Sequence, residues 1–260
     1  MLKVKKLYKH FGGVKAVDGC SFEVEKGTIV ALIGPNGAGK TTVFNLITGF
    51  LEPDKGTILL YDKDITGMPP HKINQEGLSR TFQMIRLFPK MTVLENMMLS
   101  MHNIYEEFWR SLLPSRQKNV HEAKMVDDAI KLLRFVDLEG KKNALAGNLS
   151  YGQQKLLEIA KALASDPQIL LLDEPASGVN PTMLKNIGSL LKDLKKKGKT
   201  ILFVEHNMDF VMKVADKVVV MDSGEEIAFG PPKIIQKNRR VLDAYLGKEI
   251  KIRKAKKIKK

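Results

Sequence analysis

Short apolar runs alternate with helical periodicities along most of the chain. Val30-Ala31-Leu32-Ile33, Ile169–Leu172, Thr200–Val204 and Lys217–Met221 are strand-sized, and their continuous apolar character predicts strands buried on both faces. Residues 16–25 and 28–33 read as two strands joined by a turn at Lys26-Gly27. A glycine-rich turn follows, then a helix from about Lys40 to Gly49. A further helix is expected from about Pro181 to Lys196, where Leu184, Ile187, Leu190, Leu191 and Leu194 share one face. Lys195-Lys196-Lys197-Gly198 ends it with cations at the negative end of the helix dipole and a glycine cap. Strand, helix, strand in this order predicts an α/β chain with a mainly parallel sheet.

The middle of the chain follows a different period. From Met91 to about Ala164 the patterns are helical, with Val126, Ile130, Leu133 and Val136 in one stripe and Leu156, Ile159 and Leu163 in another. A helical subdomain over about 91–164, inserted between two sheet-forming parts, is the expectation.

Composition changes little in this picture. With 260 residues, 43 % hydrophobic and 28 % charged, the chain can bury a sizeable core. No run of about 18 apolar residues is present, and the N-terminus lacks the apolar region of a secretory signal. A cytoplasmic chain is therefore expected. One cysteine, Cys20, rules out an internal disulfide or a cysteine metal site; its alternating surroundings predict a small buried apolar residue. The net charge of +14 would fit nucleic acid, but the last thirteen residues alone hold eight Lys/Arg and one Glu. Residues 248–260 read as a disordered, solvated basic tail, and no nucleic-acid partner is expected. Such a tail beside a membrane would attract anionic headgroups with about 1 kcal/mol per residue.

The chemistry begins at Gly34-Pro35-Asn36-Gly37-Ala38-Gly39-Lys40-Thr41, which matches G-x-x-x-x-G-K-[ST] between a predicted strand and a predicted helix. Glycines let successive N–H groups curl toward phosphate oxygens, and the helix that starts there adds its positive end. Lys40 supplies a cation to the β and γ phosphates. The Thr41 hydroxyl is a hard oxygen ligand for Mg2+. Thr42 is placed for another phosphate. By itself the loop does not separate ATPases, GTPases and small-molecule kinases.

Ile169–Leu172 runs into Asp173-Glu174. Ligands of such sheets bind beyond the carboxyl ends of the strands, so Asp173 is placed to hold Mg2+ and Glu174 to orient or deprotonate the attacking water. His206 ends the next apolar strand and is a candidate to touch the γ-phosphate.

These residues carry a family resemblance. Leu149-Ser150-Tyr151-Gly152-Gln153-Gln154 resembles the LSGGQ signature of ABC ATPases, with tyrosine at the usual first glycine. Gln83 resembles the family's Q-loop glutamine, Ser177-Gly178-Val179-Asn180 its D-loop and His206 its switch histidine. Phe11 resembles the aromatic residue that stacks on adenine, with Tyr8 as the competing choice. The resemblance implies a P-loop NTPase over residues 1–247, with an N-terminal antiparallel β subdomain beside the parallel core. It also implies ATP and Mg2+ as ligands, Gln83 among the metal contacts, and a head-to-tail dimer. In that dimer Ser150, Gly152 and Gln153 of one copy would close over the phosphates held by the other, with a helix beginning near Gln153.

One phosphate loop, no long heptad run and no cysteine cluster set the chain apart from the ribosome-associated and DNA-repair members. The transporter subunits remain. GPNGAGKTTVFNLITGF, RTFQMIRLFPKMTVLENM, LSYGQQKLLEIAKAL and DEPASGVNP are similar to the ATPases of branched-chain amino acid importers, as is a longer segment at His102–His121. Lipopolysaccharide exporters and urea or amide importers are the alternatives. The implied partners are membrane permeases, a second ATPase subunit and, indirectly, a solute-binding protein. Permease contact is expected near Met84–Phe88, with Trp109 either in the interface or in the core.

Overall fold

The computed structural model describes residues 1–101 and 115–245. Two sheets divide the strands. The first is antiparallel, with β1 (Leu2–Phe11), β2 (Val14–Val24), β4 (Lys55–Leu60) and β5 (Lys63–Asp64) in the order β2-β1-β4-β5. The second holds β3 (Ile29–Ile33), β6 (Leu78–Arg80), β7 (Ile169–Asp173), β8 (Thr200–Val204), β9 (Lys217–Asp222) and β10 (Glu225–Gly230). Its order is β10-β9-β3-β8-β7-β6, parallel throughout except for the β9–β10 hairpin. The predicted parallel core and its antiparallel N-terminal companion are both present.

Alternation within the apolar runs explains why these strands lack a polar face. Ile29, Ala31 and Ile33 join Leu170, Leu172, Ile201, Phe203, Val218 and Val220 in one buried cluster. Val30 and Leu32 join Ile169, Leu171, Leu202, Val204, Val219 and Met221 in the other. Each strand thus feeds two cores, as in a parallel sheet covered on both sides. Helix α1 (Lys40–Ile47) covers the second core through Val43, Phe44, Leu46 and Ile47. Helix α2 (Pro70–Gln75) adds Ile73 to the same side.

The helical subdomain lies on the first core. It contains α3 (Val93–Met101), α4 (Ser115–Phe135) and α5 (Tyr151–Leu163). Leu156, Ile159 and Leu163 of α5 are buried as expected. In α4 the buried stripe is Met125, Ala129 and Leu133, continued by Val136 just past its end, while Val126 and Ile130 stand half-buried beside it. The predicted stripe was offset at its first two positions because Ala129 is too small to register as a core residue by hydropathy. One isolated antiparallel bridge, Thr92 to Leu145, enters a segment read as wholly helical. Helix α6 (Pro181–Lys196) has the predicted limits; Asn180 caps it, its Oδ1 accepting from Met183 N at 2.9 Å. Helices α7 (Met208–Val214) and α8 (Pro232–Ile235) complete the named set. Most of His102–His121, with Trp109, and all of 248–260 lie outside the described residues.

Cys20 is fully buried, and that burial, with Glu226 nearby, pushes its thiol from 9.0 up to about 12. A group whose pKa is raised by folding contributes stability that is whole below its unfolded value and is lost as pH rises through the folded one. Stability should therefore fall between about pH 9 and 12 more steeply than in Cys20→Ser. At pH 8 a thiol reagent should leave Cys20 unlabelled until urea unfolds the chain; rapid labelling of the folded protein would contradict its burial.

Candidate active site

Because β3, β8, β7 and β6 run parallel, their carboxyl ends open on one edge of the sheet. The segment after β3 turns through Gly34–Gly39 into α1. Two glycines allow this turn to sit against its neighbours. A β-carbon on Gly34 would lie 2.2 Å from the Met221 carbonyl oxygen, and one on Gly39, at φ +97°, 2.2 Å from the Ala16 carbonyl oxygen. Ala38 N–H donates to Pro35 O at 3.1 Å, which tightens the curl. Lys40 is buried, and its Nζ donates to the carbonyls of Gly34 (2.9 Å) and Pro35 (3.0 Å). Helix α1 has no side-chain cap and no acid in its first turn, so its positive end is left for an anion. Thr41 is exposed and Thr42 half-buried at that end; Asn36 and Gly37 are exposed, Pro35 half-buried.

At the end of β7 the two carboxylates part company. Asp173 is buried, and its Oδ2 accepts from Arg80 at 3.0 Å. Glu174 has a left-handed backbone, φ +49°, which is uncommon for a side chain of this size. Bonds on both sides maintain it: its N–H donates to Val204 O at 3.0 Å, and its carbonyl accepts from Lys155 Nζ at 3.1 Å. The kink sends the Glu174 side chain toward β8, where Oε1 lies 3.0 Å from His206 Nε2. With the carboxylate ionised, that bond needs the imidazole proton on Nε2.

Two residues of this site were missed in the sequence. Arg80 is one, a charge at the end of a short strand that has no apolar run to announce it. Burial holds its guanidinium below the usual value, opposed by the bond to Asp173. Glu205 is the other. It is buried, its Oε1 accepts from Ala176 N–H at 2.6 Å, and its Oε2 accepts from His206 N–H at 3.1 Å. Burial raises its pKa, while the backbone donors Ala176, His206 and Asn207 pull the other way. A single carboxylate thus ties the chain after Glu174 to the chain carrying His206. Its signal was an acid following Thr200–Val204.

The remaining candidates lie on the periphery. Gln83 is exposed beyond β6. Phe11 ends β1, 46 % exposed as a residue, with Lys9 Nζ 5.7 Å from its ring centroid. Tyr8 is half-buried, its hydroxyl packed against Gly19. Helix α5 begins at Tyr151, two residues earlier than read, because Ser150 and Gln153 form a capping box. Ser150 Oγ accepts from Gln153 N at 3.4 Å, and Gln153 Oε1 accepts from Ser150 N at 3.1 Å. Gly152 is consequently inside the helix, where a β-carbon would come 2.6 Å from Met183 Cγ. Tyr151 has no positive φ and turns its ring onto Gly178.

Residues 17–177 match the ABC transporter family. The chain belongs to this family. Its fold is therefore that of an ABC-type ATPase, which binds nucleotide and serves a membrane transporter. It is 42 % identical over 95 % of its length, and 98 % of theirs, to two proteins. They are the high-affinity branched-chain amino acid transport ATP-binding proteins BraF of Pseudomonas aeruginosa and LivG of Escherichia coli. Among solved structures, an ATP-binding cassette of an ABC transporter in its ADP conformation superposes with TM-score 0.84 at 37 % identity, covering 95 % of this chain and 98 % of that one. A dimeric cassette bound to ADP and phosphate superposes with TM-score 0.74 at 25 % identity, covering 89 % and 99 %.

Replacing Glu205 by alanine should leave the buried Ala176 N–H without its acceptor, at about 1–3 kcal/mol, and the partly exposed His206 N–H without its own at less. Urea denaturation should register that loss and ATPase assays a parallel fall in kcat, with Glu205→Gln milder in both. Full stability and rate in Glu205→Ala would show the bonds to be dispensable.

Proposed function

We propose that this chain is the ATP-hydrolysing subunit of an importer of branched-chain amino acids, seated on the inner face of the membrane against a separate permease. The observation that carries the catalytic part is the Glu174–His206 contact of 3.0 Å at the edge where the phosphate loop turns. Identity of 42 % to BraF and LivG supports the substrate class. No helix among the described residues is long and apolar enough to cross a membrane, so transport through the bilayer falls to the partner.

In this reading Gly34–Thr42 hold the phosphates and Phe11 stacks on adenine. Phe11 is favoured over Tyr8 because it is exposed, whereas Tyr8 is half-buried with its hydroxyl beside Gly19. Thr41, Asp173 and Gln83 offer a hydroxyl, a carboxylate and an amide, hard oxygen donors of the kind Mg2+ takes. Mg2+ held there supplies a positive charge on the transferring phosphate's oxygens. Glu174 orients and deprotonates the attacking water, and His206 holds Glu174 through Nε2 while facing the γ-phosphate. The Lys40 ammonium, now bonded to two loop carbonyls, exchanges them for phosphate oxygens. Ser150, Gly152 and Gln153 act on a second ATPase subunit, this chain or a paralogue. The Ser150 hydroxyl spends only a lone pair on its cap, so its proton stays available to a phosphate oxygen.

The permease is proposed to place a cytoplasmic helix against the surface around Met84 and Phe88, which are 79 % and 54 % exposed. Beside it opens a cleft of about 1110 Å³, lined in part by Phe50, His71, Phe82 and Met101. Ile85 and Leu87 of the same segment are half-buried and belong to the packing.

Glu174→Gln should bind ATP but hydrolyse it at least about 100-fold more slowly and accumulate as a dimer in size-exclusion chromatography. A monomer at saturating ATP and Mg2+ would count against the dimeric site. In membranes holding the assembled transporter, uptake of labelled leucine should stop on Lys40→Ala, and a crosslinker at position 88 should capture the permease. Undiminished uptake, or no crosslink from any position in 83–101, would sink the respective assignment.

A further inference from the structure

Arg80 makes more contacts than a structural ion pair needs. Its side chain is 6 % exposed and that of Asp173 5 %. Nη2 donates to Asp173 Oδ2 at 3.0 Å. Nη1 donates to Asn45 Oδ1 at 2.7 Å and to Thr48 Oγ1 at 3.0 Å. The Thr48 hydroxyl gives its own proton to Phe44 O at 2.6 Å, so it can only accept from Arg80. Three rings surround the guanidinium: Phe44 at 5.5 Å, Phe50 at 5.9 Å and Phe82 at 5.4 Å. Nε is left buried without a partner. The backbone around the pair is also set, because Asp173 N–H donates to Thr81 Oγ1 at 3.2 Å.

Three facts follow from this arrangement. Asn45 lies in the last turn, and Thr48 at the C-cap, of the same helix whose first turn closes the phosphate loop, so Arg80 joins that helix to the end of β7. A buried carboxylate without a cation is strongly unfavourable, and Arg80 supplies the charge. Only a planar fork can serve Asp173 with one nitrogen and two oxygens of α1 with the other; an ammonium can replace the charge but not both directions at once. We propose that Arg80 is a positioning residue for hydrolysis: it engages Asp173 Oδ2, fixes the carboxylate against the phosphate-loop helix, and leaves Oδ1 to act on the metal. This rests on the reading of Asp173 as a Mg2+ ligand.

Two measurements test it. In steady-state ATPase assays, Arg80→Lys and Arg80→Met should lower kcat about 10- to 100-fold while KM for ATP stays within about twofold, because the phosphates are still held and only the carboxylate is misaimed. The second is a double-mutant cycle on thermal stability in EDTA, without nucleotide. Arg80→Met should lower Tm markedly in the wild-type background and much less beside Asp173→Asn, where no buried anion needs a cation. Should Arg80→Met alone fail to fold, Arg80→Met/Asp173→Asn should fold. The proposal is overturned if Arg80→Lys keeps kcat within twofold of wild type, or if Arg80→Met costs the same Tm in both backgrounds, since Arg80 would then only fill space. The underlying metal reading fails separately: Asp173→Asn would then hydrolyse ATP at the wild-type rate with unchanged Mg2+ dependence.

Discussion

Parallel pairing of β3, β8, β7 and β6 is the constraint from which the site follows. Ile29 pairs with Ile201, Ile169 with Thr200 and Leu78 with Ile169, so the strands start within a residue of level. Strands β7 and β8 also end together, Asp173 against Val204, while β6 stops two residues short at Arg80 opposite Leu171. Their last residues therefore emerge on one edge. Lys40, Arg80, the Asp173-Glu174 pair and His206, far apart in sequence, are brought there by the sheet. The register is enforced by burial on both faces. Slipping a strand by one residue would exchange its two apolar sets between cores of different shape.

Charge at this edge is arranged by backbone conformation. Adjacent carboxylates at Asp173 and Glu174 would repel if they pointed the same way. A left-handed residue at Glu174 turns the second side chain toward His206, while the first stays in the sheet's plane of burial with Arg80. Strain of this kind, about 1–3 kcal/mol, persists only where surrounding bonds over-determine it. Here Val204 O and Lys155 Nζ hold the peptide on either side, and Lys155 belongs to the signature helix. The acidic pair and the signature are thus mechanically joined within one chain.

The elements with a strong period were legible: the buried strands, the helix over Pro181–Lys196 and the inserted helices. Weak or short elements were not. Strand β6 has three residues, and Ser79 and Arg80 interrupt its apolar character, yet it forms the sheet edge and delivers Arg80. In α4 a small residue, Ala129, occupies the core because its neighbours close around it, which hydropathy alone does not weigh. Glu205 looked like an ordinary acid at a strand's end; only the meeting of two loops above β7 and β8 makes it a buried acceptor.

By itself the sequence determined the family, and it marked Gly34–Thr42, Asp173-Glu174 and Ser150–Gln153 as candidates, because phosphate and metal chemistry needs particular residue types at particular spacings. Tertiary structure alone decided the partners of those residues: Arg80 with Asp173, His206 with Glu174, Glu205 with Ala176, Phe11 exposed and Tyr8 packed. The physical reason is that local spacing sets which atoms are available. Which of them meet depends on the pairing of strands far apart in the chain.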